Sequence, residues 1–249
     1  MTTSPVICRL RAAAEPDSPH VLFFPFGGGN SWSGRLIEAA LPTGYGLSAV
    51  QYPGRGPRIN EPHALDVTQI AESVLAELGP TGGPTLFFGH SLGALIAFET
   101  ARLHREGSID LLIVSAARPP GMPESDDSSL DDESLTKLMV AHGGTPEDVL
   151  RDPELMGMML PVMRADYRLA GAYRPYPPPV IETPIVAIGG DTDPTVPPEL
   201  LALWQRHTRQ WLGALTAPGG HFYLQQELDA VAEALRQCEL SAAGRPGSA

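Results

Sequence analysis

Seven short apolar runs recur along the chain, at 6–10, 21–25, 47–52, 85–88, 111–115, 185–189 and 214–217. Stretches with helical spacing, at 67–78, 92–105, 198–207 and 228–240, lie between or after them. Strands this short and this apolar are buried on both faces, the condition of a parallel sheet whose crossover connections are helices. The alternation therefore predicts a doubly wound α/β architecture, a mostly parallel central sheet with helices on both faces. It fails over 119–180, where no strand-like run occurs and the proline-rich stretch 176–179 leads back to the core. That segment is assigned to an inserted helical lid, 1–118 and 181–240 to the core, and 241–249 to a disordered tail. A length of 249 residues with 43% apolar side chains suits one such core carrying an insertion.

Charge removes several classes of function. The net charge is −12, whereas a nucleic-acid binder needs cations to displace counterions from phosphates. Eight of those net negative charges fall within 124–154, and the run 124–129 reads as a solvated, mobile loop. No apolar run approaches the ~18 residues that span a bilayer, and the N-terminus carries no signal-type apolar region, so no membrane partner is expected and a cytoplasmic location is. Cys8 and Cys238 form neither a zinc site nor a disulfide framework and are expected to be free thiols. No metal and no cofactor are expected, and no internal repeat is present.

Gly89-His90-Ser91-Leu92-Gly93 matches G-x-S-x-G. The pentapeptide alone is weak evidence, but its setting is specific. The apolar run 85–88 stands immediately before it and a helical stretch immediately after, which is the strand–turn–helix of a nucleophile elbow. Such a turn holds the serine in a strained geometry that exposes Oγ, and the glycines let strand and helix approach closely.

A serine hydroxyl is a poor nucleophile until a base takes its proton, and the base must be oriented by a third group. His221, in the glycine loop 217–222 after the last strand, has the right order in the chain. His20, His63, His104, His142 and His207 read as surface or packing residues, and His90 as structural. For the acid, Asp191 and Asp193 both follow the run 185–189. Pro194 disfavours helical geometry at Asp193 and holds it in an extended turn, which favours Asp193, and Asp191 is expected to close the loop through its own hydrogen bonds. The loop Phe24-Pro25-Phe26-Gly27-Gly28-Gly29-Asn30 completes neither phosphate-binding motif. In this architecture it supplies one oxyanion-hole N–H and the residue after the nucleophile the other. Gly27 and Leu92 are the choices, with Phe26 the alternative to Gly27.

With these residues in view, the chain resembles the discrete type II thioesterases that accompany polyketide synthases and nonribosomal peptide synthetases. The resemblance covers nearly the whole chain. It rests on the glycine loop from Phe24, on Gln51-Tyr52-Pro53-Gly54-Arg55-Gly56-Pro57-Arg58, on Leu160-Pro161-Val162-Met163-Arg164-Ala165-Asp166-Tyr167, on Asp193-Pro194 with Trp204 downstream, and on Pro218-Gly219-Gly220-His221-Phe222. The family often has alanine where Gly27 stands and methionine where Leu92 stands.

The resemblance implies an α/β-hydrolase fold and hydrolysis of acyl thioesters from the phosphopantetheine arm of carrier proteins, an arm that belongs to the substrate. It also implies acyl or peptidyl carrier protein domains as partners, with Ser91, Asp193 and His221 as the catalytic residues. A free-standing, monomeric enzyme is expected. An esterase for small free esters would share every catalytic residue. The lid is expected to roof an apolar acyl chamber, lined from among Leu138, Met139, Leu155, Met156, Met158, Met159 and Met163, since methionine adapts to varied chains. Arg55, Arg58, Arg164, Arg168 and Arg174 are the cations that could meet a carrier; Arg164 and Arg168 could instead pair with a nearby acid such as Asp166 or stay solvated.

Overall fold

The structure is a computed structural model and describes residues 4–104, 109–122 and 130–243. The acidic run 124–129 and tail residues 244–249, both expected to be mobile, lie outside the described residues. Seven strands form one sheet: β1 (Ile7–Arg11), β2 (His20–Phe24), β3 (Gly46–Val50), β4 (Thr85–His90), β5 (Leu111–Ser115), β6 (Ile185–Gly190) and β7 (Trp211–Ala217). Their order is β1-β3-β2-β4-β5-β6-β7, and every pair is parallel except β1 with β3. The chain runs outward from β2 to β3 and then crosses back to β4 on the other side of β2. This reversal opens a crevice beyond the C-terminal ends of β2 and β4, where such sheets bind ligands.

Side-chain alternation along the strands builds two apolar layers. Leu22, Phe24, Phe87, Leu112 and Val114 face α1 (Val67–Glu77), α2 (Leu92–Leu103) and Trp204. Val21, Phe23, Phe88, Ile113 and Val186 face the 3-10 helix Ser31–Ala40 and the helix α7 (Asp229–Ala243). Each such side chain contributes about 1.5–3 kcal/mol by leaving water. The Ser31–Ala40 helix, not foreseen from spacing, can sit this close because of Gly34: a Cβ there would meet Leu10 Cδ1 at 2.7 Å and Ala49 Cβ at 3.0 Å. The single helix expected over 198–207 is a short α6 (Pro198–Leu201) continued by the 3-10 helix Ala202–His207. β7 begins three residues before the expected 214, and α7 continues to Ala243, past the expected start of the tail.

Between β5 and β6 lie α3 (Asp132–His142), α4 (Glu147–Arg151) and α5 (Pro153–Ala172). Much of the acidic charge here has a local cause. Asp131 caps α3 by accepting from the Ser134 N–H, and Asp152 caps α5 by accepting from Glu154 and Leu155. Asp132, Glu133, Glu147, Asp148 and Glu154 occupy first turns, where the helix dipole favours anions. The insertion has a small core of its own, Leu135, Met139, Met156 and Met163. No helix among the described residues is long and apolar enough to cross a membrane.

Candidate active site

Ser91 stands between β4 and α2 with φ 55° and ψ −121°, a conformation that L-residues rarely adopt. The flanking glycines are obligatory. A Cβ at Gly89 would lie 2.4 Å from Ala94 Cα, and one at Gly93 would lie 2.0 Å from the Phe24 carbonyl oxygen. The strained turn is held by the Ser91 N–H donating to the Ser115 carbonyl at 2.8 Å.

The three expected side chains converge. His221 Nε2 is 3.0 Å from Ser91 Oγ, and His221 Nδ1 is 2.7 Å from Asp193 Oδ2. Because a carboxylate only accepts, Nδ1 carries the proton toward Asp193 and leaves Nε2 free to accept from the Ser91 hydroxyl. Burial alone would raise the Asp193 carboxyl. The hydrogen bond from His221, the charge that ring can carry and the bonds from Thr195 outweigh it and hold the carboxyl well below the usual range. Thr195, which sequence reasoning missed, donates to Asp193 Oδ1 from both N–H (2.8 Å) and hydroxyl (2.7 Å). Asp191 is exposed and instead accepts from the Gly219 N–H at 3.0 Å, tying its loop to the one that bears His221.

Two more histidines flank His221. His90 is fully buried beneath it, with ring centroids 5.4 Å apart; its Nδ1 bonds Ser115 Oγ at 2.8 Å, and Ser115 bonds Tyr223. Burial and the facing His221 keep His90 neutral, its pKa well below the ordinary value. His142, read as a surface or packing residue, packs at the site itself: from the end of α3 its ring stacks on His221 at 5.2 Å and 25°, 3.1 Å from the Tyr167 hydroxyl. Nothing local in the sequence signals that contact, which joins the insertion to the core.

The loop after β2 supplies backbone donors beside Ser91. The Gly28 N–H is taken by Asp166 Oδ2 at 2.7 Å and the Gly29 N–H by the Phe26 carbonyl at 2.9 Å. Among the described residues no acceptor takes the Gly27 N–H, and Leu92 contributes the first amide of α2. A cavity of about 230 Å³ opens over Ser91. Of the seven expected lining residues, Leu138, Met139, Met159 and Met163 face it; Leu155 and Met158 are turned outward, and Met156 belongs to the insertion's core.

The arginines follow expectation in part: Arg164 pairs with an acid and Arg168 stays exposed. Arg55 is buried in a bidentate pair with Asp166, and Arg164 reaches Asp132 and the Leu130 carbonyl rather than Asp166. Arg58 pairs with Glu61, Arg174 bonds the Met122 carbonyl, and Arg168 is exposed. Asp166 points inward on α5, which takes it away from its own neighbours.

Residues 19–238 match the thioesterase domain family. The chain belongs to that family. This thioesterase is 40% identical over 207 residues, 81% of its length and 73% of the other's, to the thioesterase PikA5 of Streptomyces venezuelae. Among solved structures it is similar to the type II thioesterase BorB from the borrelidin biosynthetic cluster, at 36% identity with a TM-score of 0.81, covering 96% of this chain and 99% of that one. It is also similar to YbtT, a type II thioesterase from the yersiniabactin NRPS/PKS pathway, at 28% identity with a TM-score of 0.83, covering 95% and 99%. The thioesterase thus has the α/β-hydrolase fold that its motifs implied.

Proposed function

We propose that this chain is a type II thioesterase that releases acyl groups from the phosphopantetheine arm of acyl or peptidyl carrier proteins of a polyketide synthase or nonribosomal peptide synthetase. The observation that carries the reading is the Ser91–His221–Asp193 relay, with contacts of 3.0 and 2.7 Å, at the floor of an apolar chamber roofed by α3 and α5. The relatives that are type II thioesterases supply the substrate class.

In this mechanism Ser91 Oγ attacks the thioester carbon as its proton passes to His221 Nε2. The oxyanion forms against the N–H groups of Gly27 and Leu92, each worth about 3 kcal/mol of transition-state stabilisation. Collapse breaks the C–S bond, and His221 returns the proton to the departing pantetheine thiolate. Water then attacks the acyl-serine while giving a proton to His221. Breakdown of the second tetrahedral species frees the acid, and the proton goes back to Ser91. Asp193 stays ionised, orients the ring and stabilises the imidazolium. The segment 119–180 acts as the lid of the chamber; all three side chains come from one chain, so one copy suffices for the chemistry, and the enzyme acts as a cytoplasmic monomer in this reading.

The test is a panel of acyl groups on a carrier protein, with matching N-acetylcysteamine thioesters, assayed for release. Release from the carrier with a higher kcat/KM than from the small thioesters is expected, and Ser91→Ala should abolish both. Equal or better turnover of small free esters would replace the carrier reading with a general esterase.

A further inference from the structure

The loop from Pro25 to Ser31 presents the proposed oxyanion donor; Phe26 packs it against His90 and Phe222, and hydrogen bonds from outside the loop fix its backbone. Three anchors come from the segment after β3. The Tyr52 hydroxyl donates to the Pro25 carbonyl at 2.9 Å, and Gln51 Oε1 accepts from the Ser31 hydroxyl at 2.9 Å. Gln51 Oε1 also accepts from the Ser31 N–H at 3.2 Å, and its Nε2 is steadied by donating to the Arg55 carbonyl at 3.0 Å. The fourth anchor crosses from the insertion. Asp166 Oδ2 accepts from the Gly28 N–H at 2.7 Å and from Arg55 Nη1 at 2.5 Å, while Oδ1 accepts from Arg55 Nη2 at 2.6 Å. Met163, one turn earlier on α5, presses on the same point: a Cβ at Gly28, where φ is +79°, would lie 2.5 Å from its sulfur.

This pair is an expensive way to hold a fold together. Both side chains are buried, and Arg55 Nε has no hydrogen-bond partner among the described residues. Two desolvated charges contribute little net stability compared with apolar residues of the same volume. What the pair supplies is geometry. With both oxygens fixed by the guanidinium fork, Asp166 can meet the Gly28 N–H at only one place. The peptide between Gly27 and Gly28 is thereby oriented, its Gly28 N–H turned to the carboxylate, and the N–H of Gly27, in the peptide before it, has no acceptor among the described residues.

We infer that Asp166, braced by Arg55, is a positioning residue that sets the oxyanion loop from the lid helix, so that the hole is complete only when α5 is seated. The inference rests on the thioesterase reading above and assigns a role in it to a residue that touches neither substrate nor reacting atoms.

The experiment compares Asp166→Asn and Arg55→Lys with wild type and with Ser91→Ala on an N-acetylcysteamine thioester. Active sites are counted by end-point titration with a fluorophosphonate, so that unfolded protein is not mistaken for slow protein. The one oxygen of asparagine can still accept from the Gly28 N–H and Arg55 Nη1, but its NH2 then faces Arg55 Nη2, so the fork and the charge pairing that fix the side chain are both lost. For Asp166→Asn, kcat per titrated site should fall about 10- to 100-fold with KM within about threefold, part of the loss seen when an oxyanion donor is removed. A trifluoromethyl ketone analogue, which forms a tetrahedral oxyanion on serine, should lose affinity by the same factor. Arg55→Lys, which keeps the charge but not the fork, should show the same pattern at about 3- to 10-fold. A kcat per titrated site within twofold of wild type, or a loss confined to KM, would overturn the inference. If Asp166→Asn yields no titratable protein, Arg55→Lys decides by the same criteria. Activity surviving in Ser91→Ala would instead overturn the thioesterase reading itself.

Discussion

The sheet and the insertion meet at the same cavity but are held by different forces. In β4, β5 and β6 every residue is buried, and each strand pairs on both sides. In the insertion α3 buries only Leu135 and Met139, α4 buries nothing, and α5 buries four residues, one of them the charged Asp166. The insertion is tied to the core by a short apolar contact, Leu169, Ala170 and Tyr173 packed on the α1–α2 layer, and by polar contacts. One is Asp166 with Arg55 and Gly28. Another is Tyr173, just beyond α5, whose hydroxyl donates at 2.7 Å to Glu99 on α2. Burial would raise the Glu99 carboxyl, but bonds from Arg102, Tyr173 and Thr68 outweigh it and keep the carboxyl below its ordinary range. The proposed nucleophile thus follows a strand held on both sides, and the chamber wall is built from elements that bury few residues.

The sharpest probe of that division is Ser91→Ala. It should reduce turnover by about 10⁵-fold or more while leaving the melting temperature unchanged, because Oγ packs against nothing in the core. A large loss of stability would erase the distinction between reacting and supporting residues. Asp193→Asn should cost about 10⁴-fold through the wrong tautomer of His221, and Asp191→Asn only a few-fold; parallel kinetics and melts separate the two, and equal losses would pass the role to Asp191. Because the Asp193 carboxyl is depressed in the folded state, its stabilising effect is present above its unfolded pKa of about 3.9 and fades as the pH falls below that. The asparagine variant should therefore lose less stability on acidification than wild type.

Leu112→Ala in β5 should cost about 2–5 kcal/mol. Leu138→Ala in α3, half-buried, should cost about 1 kcal/mol or less and shift acyl-chain preference; denaturant unfolding and the acyl panel read the two effects. Hydrogen exchange should find α3 to α5 less protected than β4 and β5, and equal protection would contradict a yielding roof. The smallest expected effect is a few-fold fall in kcat/KM for an acyl-carrier substrate between low and moderate salt, with a neutral small thioester unaffected.

The elements nearest the sheet were the most legible in the sequence, because a strand buried on both faces needs an unbroken apolar run. Ser91, His221 and Asp193 were legible for a related reason: each sits in a turn directly after a strand, where Gly89, Gly93, Gly219 and Pro194 advertise the backbone. The insertion obeys no such rule. Pro161 lies inside α5, where a proline argues for a break, yet the helix runs on with Gly157 one turn before it. Arg55 and Asp166 are 111 residues apart, and the contact of His142 with His221 depends on how α3 is laid over the core. Spacing along a chain carries no trace of either.

The acid and base loops share a backbone seam. A Cβ at Gly190 would stand 2.2 Å from the carbonyl oxygens of both Gly219 and Gly220, and the Thr192 N–H donates to the Gly219 carbonyl at 3.0 Å. Asp193 and His221 therefore ride on a single stiff jaw, while Ser91 belongs to the opposite one, two strands away from β6. Within the jaw the backbone seam sets the Asp193–His221 spacing, whereas the His221–Ser91 spacing is set across the sheet, by the contact of His221 with His90 and the bond between Tyr223 and Ser115. For anyone transplanting this centre into another scaffold, residues 189–196 and 217–223 are one part rather than two, and the tolerance to be engineered is the opening between the jaws.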